Sequence, residues 1–508
     1  MLVKTIMSIN QLIMFIIMLY FNKSFRDRTV LNAKLLSNPL DGHTEPHNCD
    51  EYTVKHHLGN FLKTFPRNSK GLVSDDTYEN YLQKIKSKSY DQLKDIQIAK
   101  GSALKPVEPL ASTLFESSGA PFDSLSFFTP SPFNSPEYLG QLLEVYAMAI
   151  ARDIPFNEYK NNKTINKLTE SLNNLRGYNG PRKSKHLFRG ESKGDKIGYY
   201  VSQFLLQPIT EGCAVHSQQY KMAKFGVDFM TDLPSYLNVQ NGIVKGTIPL
   251  EDSRCFITGR DLTTFVHRDP CSMSTRNAAL ILFSNYTTAF NQNIYSGTNM
   301  TPFNLFSQSH VFNLIERVCL TALNHAFYHK WYIHRRARPE EGGFALDQYD
   351  EVLSKDLDKN SYILRETHKK YGSYLLPQAY PEGCPPHPTI PQGHGSVAGA
   401  GLTILKAFFN NDFIMTNTLV PNDSGSTLVP YKGKPLTIGN ELDKLGSNIA
   451  YARNFAGIHY REDAEAGLLL GEKVAIFELK ELVEIMKIKG LTIQFNLTKR
   501  NGHRITIH

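Results

Sequence analysis

Apolar side chains recur every three to four residues along much of the chain, and this spacing is typical of amphipathic helices. The clearest example begins after Ser135 and Pro136 and runs to Ile150, because serine favours the N-cap and proline the first helical position. Helical patterns also cover, in chain order, residues 78–100, 197–206, 272–290, 308–337, 393–409, 439–458 and 463–488. The pattern therefore predicts a mostly α-helical protein.

Long polar segments separate these helices. Residues 157–196 are rich in asparagine, lysine and glycine, and residues 370–392 are crowded with proline and glycine. Long loops of this kind often carry function. Residues 491–508 alternate between apolar and polar side chains around Asn501-Gly502, a dipeptide that favours tight hairpin turns. We therefore expect a small β-hairpin at this position.

The N-terminal region has a different pattern. An apolar run, Leu12–Phe21, follows Lys4 and precedes a short basic patch. The run is too short to span a bilayer comfortably, and it suits the core of a signal peptide, although no small-residue cleavage motif follows it. We predict a signal peptide or membrane-anchor-like leader over residues 1–24, and with it a secreted or extracellular, cell-wall location. A buried N-terminal helix is the alternative.

Composition bounds the rest of the chain. The 508 residues are 41% hydrophobic and 20% charged, which indicates a folded protein with a large core. We predict a peripheral arm over residues 25–104 and one helical domain over residues 105–508. The net charge of +8 is modest and includes no basic block, so we expect no nucleic-acid partner. Six cysteines form no CxxC pair, and both buried thiols and up to three disulfides remain open.

Three segments of the C-terminal half carry residues suited to binding an oxyanion. In the first, Lys330 and Arg338 lie eight positions apart, slightly more than two helical turns, so we expect both to project from nearly the same face of one helix. Pro339 is expected to end that helix and to leave Arg338 at its edge.

The second segment runs from His387 through Gln392, Gly393 and His394 into a run of small residues. A glycine at the start of a helix exposes its backbone N–H without a Cβ in the way, which suits an oxyanion. His394, beside that glycine, is placed for proton transfer. The small residues after it predict a closely packed helix.

The third segment contains Arg453, His459 and Asp463. Asp463 follows the histidine by one helical turn, where it could orient the imidazole or cap the next helix. A lysine or histidine on its own is usually structural. In combination, two arginines and a lysine neutralise a tetrahedral anion, one histidine ligates or attacks its central atom, and the other moves a proton.

These segments resemble the signature shared by vanadium-dependent haloperoxidases and type 2 phosphatidic acid phosphatases: Lys…Arg-Pro, Pro-Ser-Gly-His and Arg-x5-His-x3-Asp. The eight-residue step from Lys330 to Arg338, and His387 five residues before Gln392, resemble the algal bromoperoxidases within that superfamily. Stretches at 108–115 and 188–206 are similar as well. The resemblance covers roughly residues 105–485.

The resemblance implies an all-α fold of two packed helix bundles with long loops, and it implies a vanadate cofactor. His459 would ligate the metal, while His394 as acid–base residue, Lys330 as polarising group and His387 on the halide side would carry catalysis. The residues implied to hold vanadate are Lys330, Arg338, Gln392, Gly393, His394, Arg453 and His459. Implied partners are hydrogen peroxide, bromide or iodide, a small organic acceptor, and further copies of the chain in a dimer or larger ring.

One position departs from the signature, because Gln392 stands where the family has serine. Its amide can still donate to an oxyanion, but its greater length puts anion affinity and turnover in doubt. An acid phosphatase with His459 as nucleophile is the alternative enzyme. A non-catalytic vanadate- or phosphate-binding protein is the alternative outside enzymes, and Gln392 is its best support.

Several nearby polar residues are expected to be structural. Asp269 is an upstream carboxylate that could support His394 or Arg453, but a loop-capping role is preferred. The remaining histidines and arginines of these segments are expected to serve packing, ion pairs or the surface: His325, His329, His334, Arg335, Arg336 and Arg461.

Overall fold

The computed structural model describes residues 50, 53–110, 119–291, 294–488 and 490–508. The predicted leader over residues 1–24 lies outside this part of the chain, as do Cys49 and most of the similar stretch at 108–115. In the described part, no helix is both long enough and apolar enough to cross a membrane.

Helices dominate the fold, as predicted. Thirteen α-helices occur among the described residues: α1 Asp75–Ser87, α2 Tyr90–Leu93, α3 Pro136–Ala151, α4 Lys163–Asn173, α5 Leu233–Gln240, α6 Gly259–Phe265, α7 Met273–Asn285, α8 Gln308–Tyr328, α9 Pro339–Gln348, α10 Tyr362–Tyr371, α11 Gly393–Phe408, α12 Ile438–Phe455 and α13 Arg461–Ile488. Short 3₁₀ turns lie at Lys55–His57, Ser184–His186, Gly194–Lys196, Gln203–Leu205, Thr287–Ala289 and Asp350–Val352. The all-α prediction is confirmed.

Eight short strands form four two-stranded antiparallel sheets at the edges of the helical body. They are β1 Ile209–Glu211 with β2 Ala214–His216, β3 Tyr220–Ala223 with β4 Leu250–Arg254, β5 Leu419–Pro421 with β6 Leu428–Pro430, and β7 Phe495–Thr498 with β8 Arg504–Ile507. The last pair aligns Phe495 with Ile507 and turns at Asn501-Gly502, so the predicted C-terminal hairpin is confirmed.

Helices α11 and α13 form the centre of the core, flanked by α8 and α12, and they approach one another backbone to backbone. A Cβ on Gly399 would lie 2.3 Å from the carbonyl oxygen of Leu468, and one on Gly471 would lie 2.0 Å from that of Ser396. The run of small residues in α11 is thereby explained, because larger side chains would push α13 away. The packing fixes the start of α11 against the start of α13, where Gln392 N donates to Asp463 O at 2.9 Å.

Two helix predictions were wrong in ways that matter for the site. The pattern at 308–337 contains a break, since α8 ends at Tyr328, a π-helical turn covers His329–His334, and Arg335 adopts a left-handed φ of 43°. Pro339 begins α9 at its first position and ends no helix. At 197–206 the apolar residues fill the core from a loop, with one 3₁₀ turn at Gln203–Leu205.

The described part of the predicted arm contributes to the core. Phe61, Phe65 and Tyr81 are buried in one cluster with Trp331, and the Phe61 and Trp331 rings meet edge to face at 5.5 Å. Arg336, expected to serve an ion pair or the surface, is buried and pairs with Glu462 at 2.7 Å. The aromatic cluster, which also contains Phe327, joins the N-terminal segment to the chain on either side of Lys330.

We expect Gly467→Ala to destabilise the protein by about 2–3 kcal/mol, because an added methyl overpacks a tight core. The new Cβ would lie 2.5 Å from the carbonyl oxygen of Gln392 and 3.0 Å from the amide nitrogen of Ser396, both of them backbone atoms. Urea unfolding measures the loss. Gly446→Ala is the matched control, since its Cβ would meet only the side-chain ends of Leu468 and Leu402, at 3.1 and 3.2 Å. Equal losses in the two variants would contradict the prediction.

Candidate active site

Lys330 and Arg338 reach the same region from two different elements. Lys330 lies in the π-helical turn and is fully buried, and its ammonium donates to the carbonyl oxygens of Pro388 and Thr389 at 2.8 and 2.7 Å. Arg338 is the buried N-cap of α9, and its Nε donates to the carbonyl oxygen of His387 at 2.9 Å. The expectation of one shared helix face was wrong, but both side chains converge on the loop 387–389.

His459 lies between Arg338 and Asp463. Its Nδ1 is 2.9 Å from Asp463 Oδ2, and its Nε2 is 2.8 Å from an Arg338 guanidinium nitrogen. Because an ionised carboxylate only accepts hydrogen bonds, Nδ1 carries the hydrogen and Nε2 keeps its lone pair. Asp463 also accepts the backbone N–H of Tyr460 at 3.0 Å. The carboxylate therefore does both things expected of it: it orients the imidazole and caps α13.

Gly457 allows the chain to turn between Arg453 and His459. Its φ of +88° is left-handed, and a Cβ here would lie 2.9 Å from the side-chain nitrogen Nε2 of Gln378. Arg453 lies in the last turn of α12 and is buried. Its guanidinium donates to Val266 O at 2.8 Å and stands over the Tyr380 ring at 5.6 Å. The turn thus brings His459 back toward the helix end that carries Arg453.

The N-terminus of α11 carries the second segment. Gly393 is its first residue, and Gln392 is its N-cap and makes no side-chain capping bond. The side-chain nitrogen Nε2 of Gln392 instead lies 3.0 Å from Ala450 O and 3.4 Å from Asn454 Oδ1. Both of its N–H groups therefore donate to acceptors on α12. The backbone N–H groups of the first helical turn have no partner within the helix and carry its positive dipole end.

His394 pairs with Asp269, which the sequence analysis considered as a support for this histidine but ranked below a loop-capping role. Its Nε2 is 3.0 Å from Asp269 Oδ1, and the Asp269 side chain is only 4% exposed whereas that of His394 is 30% exposed. The preference for loop capping at Asp269 was therefore wrong. The pair places the hydrogen on Nε2 and leaves Nδ1 as the basic ring nitrogen.

His387 and His459 contact different terminal nitrogens of the Arg338 guanidinium. Its Nδ1 is 3.0 Å from an Arg338 guanidinium nitrogen, and its ring lies 5.1 Å from that of Phe327. Phe327 is thus a direct neighbour of the site. Trp331 points away, and its indole N–H donates to Val107 O at 3.0 Å. His325 and His329 contact backbone carbonyls at Ala120 and Leu125, which agrees with the packing roles expected of them.

Positive charge dominates this region. Burial, reinforced by Arg338 and Arg453, lowers the pKa of Lys330 well below its usual value. Burial together with Arg338 and Lys330 lowers the pKa of both His459 and His387. Buried cations without matching counter-charges are costly. A bound tetrahedral anion would oppose the part of these shifts that comes from the neighbouring cations.

The donor set fits vanadate in kind. Arg453 Nε is buried and has no hydrogen-bond partner among the residues that the structure describes. The uncapped start of α11 offers further N–H donors, and His459 Nε2 offers a neutral imidazole lone pair. Within the same described residues, no group of three or more histidine, cysteine or carboxylate side chains forms a cation site. The residues present therefore suit an oxyanion whose central atom accepts one nitrogen ligand.

Known proteins share both the sequence and the fold. A family model described as the VCPO second helical-bundle domain matches residues 324–487. A vanadium-dependent bromoperoxidase from Corallina officinalis is 33% identical, covering 78% of each chain. One from Ascophyllum nodosum is 31% identical over 86% of this chain and 84% of its own. The chain belongs to the vanadium-dependent bromoperoxidase family.

The fold agrees with this membership. The homohexameric structure of the second vanadate-dependent bromoperoxidase (AnII) from Ascophyllum nodosum superposes with a TM-score of 0.88 at 26% identity, covering 96% of this chain and 90% of that one.

The structure also identifies two site residues that sequence reasoning missed or undervalued, Asp269 and Thr389. The Thr389 hydroxyl donates to Asp463, and a lone threonine in a proline-rich loop gave no signal of that contact.

Orthovanadate should raise the unfolding temperature of this bromoperoxidase-family protein. A ligand that binds only the folded state at a hundred times its Kd adds about 2.7 kcal/mol. Lys330→Met should remove most of that gain, because it deletes a buried cation of the site. Scanning calorimetry with and without orthovanadate measures both.

Lys406→Met is the matched control for this measurement. It deletes a buried lysine, paired with Asp443 at 2.7 Å, about 20 Å along α11 from Gly393. It should lower the starting unfolding temperature yet keep the full vanadate-induced gain. An equal loss of gain in both variants would count against an anion site at Lys330.

Proposed function

We propose that this chain uses vanadate and hydrogen peroxide to oxidise bromide, and also iodide, to the hypohalous acid that halogenates small organic acceptors. One observation carries the proposal: three buried cations act on one histidine. Arg338 contacts His459 Nε2, and the charges of Lys330 and Arg453 also lower the pKa of His459. Asp463 holds the hydrogen on Nδ1 and so leaves the lone pair on Nε2. Family membership over most of the chain supports the same activity.

In this proposal His459 Nε2 would ligate the metal, and the three cations with the Gly393 N–H would hold the oxygens of the anion. The Asp463 carboxylate fixes the ligating nitrogen by keeping the hydrogen on Nδ1. Two arginines and a lysine provide charge-assisted hydrogen-bond donors, which suit a multiply charged tetrahedral anion. Gln392 contributes less than the family serine would, since both of its N–H groups face α12.

Bound vanadate supplies a Lewis-acidic centre that activates peroxide for transfer of one oxygen atom to a halide. The overall reaction consumes bromide, hydrogen peroxide and a proton and yields hypobromous acid and water. A group that gives and takes protons is therefore needed, and His394 fits it. Asp269 holds the Nε2 hydrogen, so Nδ1 is free to accept a proton from peroxide and to return it. Lys330, a fully buried lysine, would polarise an oxygen of the bound group.

The halide side is assigned to His387 and Phe327. The half-buried imidazole of His387 lies 3.0 Å from an Arg338 guanidinium nitrogen, and the Phe327 ring lies 5.1 Å from the imidazole ring. A weakly hydrated halide gains from a partly apolar contact of this kind beside a cation.

The organic acceptor is a small molecule that reacts with the oxidised halogen. The Ascophyllum structure is a homohexamer, and we infer a homo-oligomer here too. An extracellular location remains a prediction from the leader.

In the alternative hypothesis, an acid phosphatase would use the same pocket, with His459 as nucleophile. It is not favoured, because the relatives that match over most of the chain are bromoperoxidases. The eight-residue step between Lys330 and Arg338 and the presence of His387 point the same way.

Purified apo-protein should brominate a phenol-red-type dye with hydrogen peroxide only after orthovanadate is added. His459→Ala should abolish this activity, because it removes the metal ligand. His394→Gln should lower kcat by about 10²–10⁴, the range for a general acid–base residue, while vanadate still binds. His186→Gln, in a partly buried histidine on a 3₁₀ turn outside the site, should leave the rate unchanged.

The negative results of this assay discriminate among the alternatives. Vanadate binding without oxidation of any halide at any pH would favour a non-catalytic anion-binding protein. Hydrolysis of phosphate esters that depends on His459, without halide oxidation, would favour the phosphatase.

Gln392→Ser should raise vanadate affinity by at least about tenfold, since one hydrogen bond to a charged oxygen is worth about 1.5–3 kcal/mol. The lost bond from Gln392 to Ala450 O lowers stability instead. Equilibrium dialysis with orthovanadate measures the change. Gln392→Ala is the matched control, because it removes the same side chain without adding a hydroxyl. If both variants bind vanadate equally, the missing serine is not what limits affinity.

A further inference from the structure

Residues 59–63, here called the N-terminal brace, lie against the chain that leads from Lys330 to Arg338. Phe61 N donates to Arg335 O at 2.8 Å, and Ala337 N donates to Gly59 O at 2.9 Å. These bonds form an antiparallel bridge between Asn60 and Arg336. The brace therefore holds the irregular stretch that follows the π-helical turn, where no helix holds the backbone.

The brace also reaches the backbone of Arg338 through one carboxylate. Glu341 Oε1 accepts from Leu62 N at 2.7 Å, and Glu341 Oε2 accepts from Arg338 N at 2.8 Å. Glu341 is almost fully buried. The N-cap that carries the anion-binding guanidinium is thus hydrogen-bonded, through a shared carboxylate, to a residue almost three hundred positions earlier in the chain.

Lys63 links the first turn of α9 to the loop that precedes His387. Its ammonium donates to Glu340 Oε1 at 2.8 Å, to Glu382 O at 2.7 Å and to Cys384 O at 2.6 Å. The Lys63 and Glu340 side chains are 0% and 1% exposed. The other oxygen of Glu340 accepts from Cys384 N at 2.6 Å. All three donors of the ammonium are used, so its position is strictly determined.

We propose that Lys63 is a positioning residue for the anion site, which sets the distance between Arg338 and His387 by joining the start of α9 to the loop 382–384. The proposal rests on the proposed function, since it assumes that Arg338 holds vanadate. Arg338 depends on both sides of this junction: its backbone begins α9, and its guanidinium bonds to the His387 carbonyl and ring. A small shift of the loop against α9 would misalign the guanidinium. Outer residues that orient a metal site typically affect affinity by about 10–100-fold.

The test separates positioning from stability by means of three variants of the full-length protein. Lys63→Met leaves the Glu340 carboxylate buried without a cationic partner, although Gln240 Nε2 and Cys384 N still donate to it. Lys63→Met/Glu340→Gln leaves no buried charge at this junction and should regain much of the stability. Lys444→Met is the matched control, because Lys444 and Glu441 form an equally buried pair at 2.6 Å on α12. Unfolding temperature, orthovanadate affinity by equilibrium dialysis, and kcat and KM for bromide are measured for each.

We expect Lys63→Met and the double variant to bind orthovanadate at least about tenfold more weakly than the wild type, and to show a raised KM for bromide. Lys444→Met should lose stability but keep wild-type vanadate affinity. If Lys63→Met fails to fold, the double variant decides. Wild-type vanadate affinity in either folded Lys63 variant, or an equal loss of affinity in Lys444→Met, would overturn the positioning role alone. A wild-type protein that binds no vanadate would overturn the proposed function and this inference together.

Discussion

The structure is organised around buried positive charge. Lys330, Arg338 and Arg453 lie within the protein near a neutral histidine, and the fully buried carboxylate beside them, Asp463, is already engaged by His459, Thr389 and the backbone of Tyr460. Backbone carbonyl oxygens accept hydrogen bonds from two of these cations. Pro388 and Thr389 accept from Lys330, and Val266 accepts from Arg453. Carbonyl dipoles hold a cation in place without cancelling its charge, so the pocket keeps its attraction for an anion.

Such a site requires a rigid frame, because like charges that are free to move would separate. The frame is the backbone-to-backbone packing of α11 on α13, made possible by glycines at the contact. It holds the uncapped start of α11 against the turn that carries His459 and Asp463. The second part of the frame is the N-terminal brace, whose hydrogen bonds hold the irregular stretch before Arg338. The first part is a local consequence of small residues, whereas the second comes from a distant part of the chain.

The proposed function assigns proton transfer and anion binding to two different histidines. His459 is buried and has its Nδ1 hydrogen held by Asp463, whereas His394 is partly exposed and has its Nε2 hydrogen held by Asp269. In the proposed function, the same residue pairing, histidine with carboxylate, gives a ligand in one case and an acid–base group in the other. Solvent exposure makes the difference, because only the second histidine can exchange protons with water or a substrate.

The sequence by itself determined the helical class, most helix positions, the C-terminal hairpin and the three segments that meet at the site, because these depend on local periodicity and on residue types at fixed spacing. It did not determine how Lys330 and Arg338 converge, since the left-handed turn at Arg335 interrupts a pattern that reads as one helix. Nor did it identify Asp269, Thr389 or Lys63 as supports, because each acts across a contact between segments far apart in the chain. Such contacts leave no periodic trace, and only the tertiary structure decided them: the packing of α11 on α13 and of the brace on α9 selects which distant polar groups face one another.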